Sequence, residues 1–326
     1  MHIDLQVANH LVIYFKEIEM LKKFKHLINL IKSIEERFNR LDLAIGKIET
    51  RLNDSLVSEN LNDYEFKVSS QWGEDGIIQF LIKNILIENK IFVEFGVEKY
   101  TESNTRFLLQ NNDWQGLLID GSKENICYIK NDPIYWKHNL KADHAFLTKE
   151  NVNQTISNNG IQGDIGILSI DVDGNDYWIW EGINCITPRI VICEFNALFG
   201  NKERVSVPYK PNFLWTDEHF SNLYWGASLA ALEFLGKQKG YSLIGVNSAG
   251  NNAFFIRDDL AHNLNKTTAH EVHKYSSFRQ SRNERGELTC LDANEGLSLI
   301  SNCIIERVDT SQQFTVHQLF GKIDEV

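Results

Sequence analysis

The stretch Lys90-Ile91-Phe92-Val93-Glu94-Phe95-Gly96 decides the fold. Its apolar positions are consecutive and the run is too short for a typical helix, so it reads as a strand buried on both faces, ended by a glycine turn. Working outward, similar runs recur at 116–120 (GLLID), 165–170 (IGILSI) and 189–195 (RIVICEF). Helical patterns lie before, between and after them, at 77–87, 105–110 and 227–238. Two more strands follow at 241–246 and 253–257, joined by the turn-rich Asn247-Ser248-Ala249-Gly250-Asn251-Asn252. Buried strands alternating with helices predict an α/β fold with a parallel, Rossmann-like sheet, here finished by a hairpin. Residues 299–308 and 314–320 are read as further strands.

Upstream, the pattern changes period. Phe24, Leu27, Ile31, Ile34, Phe38, Leu41, Ile45, Ile48 and Leu52 alternate steps of three and four. This is a heptad seam, and it predicts an N-terminal helical coiled coil that assembles the chain as a homo-oligomer. Ile at both core positions favours three or four strands over two. Three segments result: 1–58 for helical assembly, 59–262 for the α/β core, and 263–326 as a C-terminal extension. The extension opens with a basic stretch carrying Lys266, Lys274, Arg279, Arg282 and Arg285, read as a lid or a loop.

Composition narrows the function classes. The 326 residues carry 33 Lys+Arg against 44 Asp+Glu, a formal net charge of -11, which argues against general nucleic-acid binding. Hydrophobic content of 43% and charged content of 24% are those of a globular protein with its own core. Cys127, Cys185, Cys193, Cys290 and Cys303 contain no CxxC pair, which argues against a zinc ribbon or a redox dithiol and fits reduced thiols in the cytoplasm. Met1-His2-Ile3-Asp4 lacks the basic opening of a secretory signal, and no run reaches the ~20 apolar residues of a membrane span.

Ligands of open parallel sheets bind beyond the carboxyl ends of the strands. After the first strand stand Glu94, Gly96 and Glu98, then Ser103 and Asn104, which are positioned to cap the next helix and offer N–H groups to a carboxylate. After the second stands Asp120-Gly121-Ser122, where an acid usually holds a ribose diol. The turn Gly96-Val97-Glu98-Lys99-Tyr100-Thr101 lacks the later glycines of a dinucleotide fingerprint, and Glu94 and Glu98 would repel a pyrophosphate. A ligand with a sulfonium and an ammonium, such as S-adenosylmethionine, suits it better. After the third read strand comes Asp171-Val172-Asp173-Gly174-Asn175-Asp176, and after the fourth come Glu194 and Asn196. Asp171, Asp173, Glu194 and Asn196 form a candidate all-oxygen site for Mg²⁺ or a similar cation. The same groups could instead cap a helix without metal. An EF-hand is rejected, because its twelfth position is Gly182.

Several motifs in order resemble a bacterial family of class I S-adenosylmethionine-dependent methyltransferases related to FkbM-type O-methyltransferases. They are Ser70-Gln71-Trp72-Gly73-Glu74-Asp75-Gly76, FVEFGVEKYTESNTRFLL, GLLIDGS, LSIDVDGNDYWIWEGI, RIVICEFNALFG, YWGASLAALEFLGKQKGYSLIGVN and NAFFIRDDL, over about residues 70–260. The resemblance implies a seven-stranded sheet whose last two strands are the hairpin. It implies methylation of a sugar hydroxyl, on a nucleotide-activated sugar or a surface glycan. It places Gln71, Glu94, Gly96, Asp120 and Gly121 on the cofactor, Ser103 and Asn104 near its methionine end, and Asp171 near the methyl group. Glu98-Lys99-Tyr100 departs from the small residues usual in that turn. Because a sugar hydroxyl is a poor nucleophile and needs a base or a metal, Asp173, Asp176, Glu194 and His219 are the candidate base residues. Arg204, Tyr209, Trp215 and Tyr224 are candidates to line a sugar site. The alternatives are N-methylation of an amino or phosphoramidate group, and a non-catalytic scaffold on the same fold.

Overall fold

The computed structural model describes residues 5–278 and 281–321, without the side chains of residues 5–13, 15, 17 and 18. Arg279 of the basic stretch and the opening Met1-His2-Ile3-Asp4 lie outside the described residues. The chain divides into two compact units, Met1–Ile48 and Glu49–Val326.

The first unit is helical. Helix α1 runs Leu5–Asn53, and its seam residues from Phe24 to Leu52 stay between 43% and 62% exposed.

The second unit opens with α2 (Glu74–Asn84), β1 (Ile91–Phe95), α3 (Arg106–Asn112) and β2 (Gln115–Asp120). Helices α4 (Lys123–Asn131) and α5 (Pro133–Lys137) lead to β3 (Leu140–His144). Then come α6 (Val152–Asn158), β4 (Gly163–Ile170), α7 (Asp176–Gly182) and β5 (Ile186–Glu194). Strand β6 (Val205–Ser206), α8 (Trp215–Glu218) and α9 (Leu229–Lys239) precede the hairpin β7 (Tyr241–Val246) and β8 (Asn252–Arg257). The chain closes with α10 (Ala269–Val272), α11 (Ala293–Leu299), β9 (Ile304–Arg307), β10 (Gln312–Thr315) and α12 (Val316–Phe320).

The main sheet has the order β3-β2-β1-β4-β5-β8-β7. Strands β1 to β5 pair in parallel, and β8 pairs antiparallel with both β5 and β7. The seven-stranded sheet with a terminal hairpin is therefore present. Strand β3 escaped the sequence reading because it is an edge strand with Lys141, Asp143 and His144 outside the core. Alternation along each strand feeds two cores. Val93, Leu117, Leu168 and Val191 pack on one face with Trp180 and Leu232. Phe92, Leu118, Ile167 and Ile190 pack on the other with Ile77 and Leu108. A second, three-stranded sheet, β10-β9-β6, has its own core of Phe199, Val205, Phe213, Tyr224 and Ile305. The reading of 314–320 as strand is corrected in part. Thr315 caps α12 with Gln318 in a reciprocal capping box, which turns Val316 onward into helix.

Candidate functional site

Strand β1 lies between β2 and β4, so the chain leaves it to one side and returns on the other. This reversal opens a crevice at the carboxyl ends. A cleft of about 340 Å³ occupies that place.

Its floor is the turn after β1. Gly96 has φ 67°, and a Cβ there would collide with the Asp171 carbonyl oxygen. Gly96 therefore lets two turns of the chain touch, and it lines the cleft as well. Glu98 (φ 46°) and Tyr100 (φ 59°) are left-handed as well. The Tyr100 side chain is fully buried and its hydroxyl pairs with the Thr105 hydroxyl at 3.0 Å, so a buried ring, not small residues, sets this turn. Asp120 is turned onto backbone: its carboxylate accepts from Glu98 N at 2.8 Å, Ser122 N at 2.7 Å and Asn125 Nδ2 at 3.1 Å. Neither Asp120 nor Gly121 lines the cleft.

Glu94 does line it. Its carboxylate accepts from Asn104 N at 2.8 Å, Thr105 N at 3.3 Å and the Thr105 hydroxyl. Thr105, not Ser103 or Asn104, is the residue before α3, and the N–H groups expected to meet a ligand carboxylate are already taken, that of Asn104 by Glu94 and that of Ser103 by the Ser69 carbonyl. Burial pushes the Glu94 carboxyl up to about 7, against the pull of those hydrogen bonds.

The roof is built by two adjacent acids that sequence reasoning quoted without a role. Asp75 Oδ2 accepts from Val68, Ser69 and Ser70 N–H at 2.7, 2.6 and 2.8 Å. Glu74 Oε2 accepts from Trp72 and Gly73 N–H, both at 2.9 Å, while Oε1 accepts from Asn247 and Asn252 side chains at 2.7 and 2.9 Å. Together they hold Gln71 over the cleft. Trp72 stacks on Phe278 at 5.0 Å between ring centroids.

The acidic run after β4 wraps around its last member. Asp176 accepts from Val172 N at 2.8 Å and Gly174 N at 3.0 Å, leaving Asp171 and Asp173 (φ 54°) to face the cleft. Among the described residues, Asp171, Asp176 and Glu194 bring one carboxylate oxygen each within 4.8 Å of one another. Asp176 thus stands where Asp173 was expected in the metal set. Asn196 does not join it: its amide donates to the Leu223 and Trp225 carbonyls at 3.0 and 2.9 Å, and its oxygen accepts from Leu198 N. Burial first, and neighbouring carboxylates second, push Asp171 and Glu194 well above the usual range.

The rest of the cleft's lining has a different character. Trp215, Trp225, Asn251, Asn252, Phe278, Arg282 and Leu288 line it. Three buried polar atoms here have no hydrogen-bond partner: Glu194 Oε2, Asn252 Oδ1 and Trp225 Nε1. Asn252 faces Glu194 across the β5–β8 register, and Asn196, two residues after Glu194, donates its amide to the Trp225 carbonyl. The asparagine-rich hairpin turn was the sequence signal for Asn251 and Asn252, and Trp225 gave none.

Other expected residues lie elsewhere. His219 does not line the cleft; its Nδ1 accepts from Ser221 N at 3.2 Å and its ring packs on Phe220. Tyr209 bonds Glu150, Tyr224 bonds the Ile304 carbonyl, and Arg204 pairs with Asp309, so of that proposed sugar-lining group only Trp215 reaches the cleft. In the basic stretch, Lys266 pairs with Asp258 and Lys274 bonds Asn62, and Arg282 alone among its described residues lines the cleft.

No protein-family model matches the sequence, and no curated protein matches it. Solved structures do. A S-adenosylmethionine-dependent methyltransferase from Clostridium acetobutylicum ATCC 824 matches at 10% identity and a TM-score of 0.36, over 65% of this chain and 96% of that one. The N-terminal domain of EvdMO1 with SAH bound matches at 9% identity and a TM-score of 0.35, over 62% and 81%.

Proposed function

We propose that the chain is an S-adenosylmethionine-dependent O-methyltransferase acting on a sugar hydroxyl, in the cytoplasm, in the making of a nucleotide-activated sugar or a surface glycan. The observation that carries this reading is the charge of the cleft. Glu94, Glu98, Glu102, Asp171, Asp173 and Glu194 line it, against Arg282 as the one cation among the described residues. Such a lining attracts a cationic ligand, and at the turn carrying Glu94 and Glu98 it repels a pyrophosphate. The cofactor, when bound, supplies a methyl group on a sulfonium. Glu94, Asp171 and Asp173 would hold its positive groups, under Gln71 and beside Ser103. Glu194, buried and without a donor for Oε2, is placed to take the proton of an acceptor hydroxyl once its own, held there by burial and by Asp171, has been released. All five cysteines are free, in keeping with a reducing compartment, and no described helix is long and apolar enough to cross a membrane.

The test is calorimetric titration with S-adenosylhomocysteine, with EDTA and again with Mg²⁺. Micromolar binding supports the reading, and a requirement for Mg²⁺ assigns a cation to Asp171, Asp176 and Glu194. No binding in either buffer favours the scaffold.

A pH dependence follows from Glu94. Its folded-state carboxyl near 7 lies above the ordinary 4.5, so the folded protein holds a proton that the unfolded chain has released. This contribution to ligand-free stability is full below about 4.5 and is lost as pH rises through about 7. Affinity for a cation moves the other way, falling about tenfold per pH unit below that point. Titrations with S-adenosylmethionine from pH 5.5 to 8.5 check it, and a flat profile counts against Glu94.

The heptad seam supports a homo-oligomer through α1. The position after each second core residue holds Ile28, Glu35, Asp42 and Glu49, and the position before each first holds Lys23, Leu30, Arg37, Ala44 and Arg51. Parallel, in-register pairing sets Arg37 of one copy beside Asp42 of the next, whereas antiparallel pairing opposes like charges. Ile34→Asp in the full chain is expected to reduce the light-scattering mass to that of one chain. An unchanged mass contradicts assembly through the seam.

A further inference from the structure

We propose that the acceptor is a hydroxylated ring carrying an acidic group, and that Arg282 reads that group while Glu194, Asn252 and Trp225 read its hydroxyls. This rests on the methyltransferase reading of the same cleft and narrows its substrate class. Two independent observations carry it. The first is the set of unpartnered buried atoms. Glu194 is 9% exposed, and Asn252 and Trp225 are each 4% exposed, yet Glu194 Oε2, Asn252 Oδ1 and Trp225 Nε1 meet no partner. Buried polar atoms are normally paired, and leaving one bare is costly. One hydroxyl can donate to one of the two acceptors and accept from the indole N–H, and a second hydroxyl of the same ring can donate to the other. The indole of Trp215 gives the cleft an apolar face of the kind a sugar ring packs on.

The second is Arg282. Its backbone N–H donates to the Ser221 carbonyl at 3.0 Å, and it bridges Leu288, so the residue is anchored to the core. Nη1 donates to the Gly286 carbonyl at 2.8 Å. No carboxylate among the described residues comes within 4.0 Å of the guanidinium, although the cleft carries six. A tethered cation without a counterion, in an otherwise anionic cleft, is placed to receive an anion from outside. Its planar fork matches a carboxylate or a phosphate with two parallel hydrogen bonds.

The experiment titrates the full chain, with and without saturating S-adenosylhomocysteine, with glucose, glucuronate and glucose 1-phosphate. At least one acidic sugar is expected to bind tenfold or more tightly than glucose, and which of the two does so separates a carboxylate from a phosphate. Arg282→Gln should bring the acidic sugar down to the level of glucose while leaving S-adenosylhomocysteine affinity unchanged. Equal binding of the three sugars, binding of none, or a preference that survives Arg282→Gln overturns the proposal. Failure of S-adenosylhomocysteine to bind the unmodified chain overturns the cofactor reading instead, since the sugar titrations without it still report on Arg282.

Discussion

Asp171→Asn is expected to raise the melting temperature of the ligand-free protein while weakening S-adenosylmethionine binding at least tenfold. The Asp171 carboxylate shares a space of 4.8 Å with those of Asp176 and Glu194. Burial and like charge both disfavour its ionised form. Asparagine keeps the shape and carries neither the charge nor the proton that Asp171 must hold in its place, so the folded state is relieved. For a domain of this size each kcal/mol recovered raises the melting temperature by about 2–4 °C. The same charge is what a sulfonium or an ammonium would meet, so the relief of the empty site is the loss of the filled one. Scanning calorimetry at pH 8 and titration of the same preparation read both effects. A variant that gains no stability and binds as before would remove Asp171 from the site.

Gly96→Ala is expected to lower the melting temperature by 10 °C or more, or to leave the chain insoluble. Two penalties coincide. The φ of 67° is a left-handed conformation that an alanine enters at a cost of roughly 1–2 kcal/mol. Its Cβ would also run into the Asp171 carbonyl oxygen, which is backbone and can move only by parting the turns after β1 and β4. Gly163→Ala isolates the first penalty: φ is 71° there, but no atom lies within 4 Å of the added Cβ. That variant should lose only about the backbone term, a few degrees. If the two variants melt together, the turns are not in contact and the floor of the cleft is described wrongly.

The sheet was legible because each central strand is an uninterrupted apolar run, and the hairpin because Asn247 to Asn252 separates two of them. Strand β3 was not, since an edge strand with Lys141 and His144 exposed carries half the pattern. The acids of the site were legible as residue types at strand ends, but not in their duties. Asp171 and Asp173 face the cleft while Asp176 folds the loop, and this depends on the left-handed backbone at Asp173, which spacing does not reveal. Asp120 stands where a ribose acid belongs, yet Glu98 N–H, Ser122 N–H and Asn125 occupy it. His219 attracted attention by its chemistry alone, and proximity to the cleft is a tertiary property. Glu74, Asn252 and Trp225 act through contacts with residues distant in sequence, as in the bond from Asn247 to Glu74.

The central claim is that the cleft selects a cationic cofactor through its carboxylates. It is tested most directly by titrating the intact protein with S-adenosylmethionine and, separately, with NAD. The account predicts micromolar binding of S-adenosylmethionine and no measurable binding of NAD, whose pyrophosphate would face Glu94 and Glu98. Binding of NAD without binding of S-adenosylmethionine would contradict it.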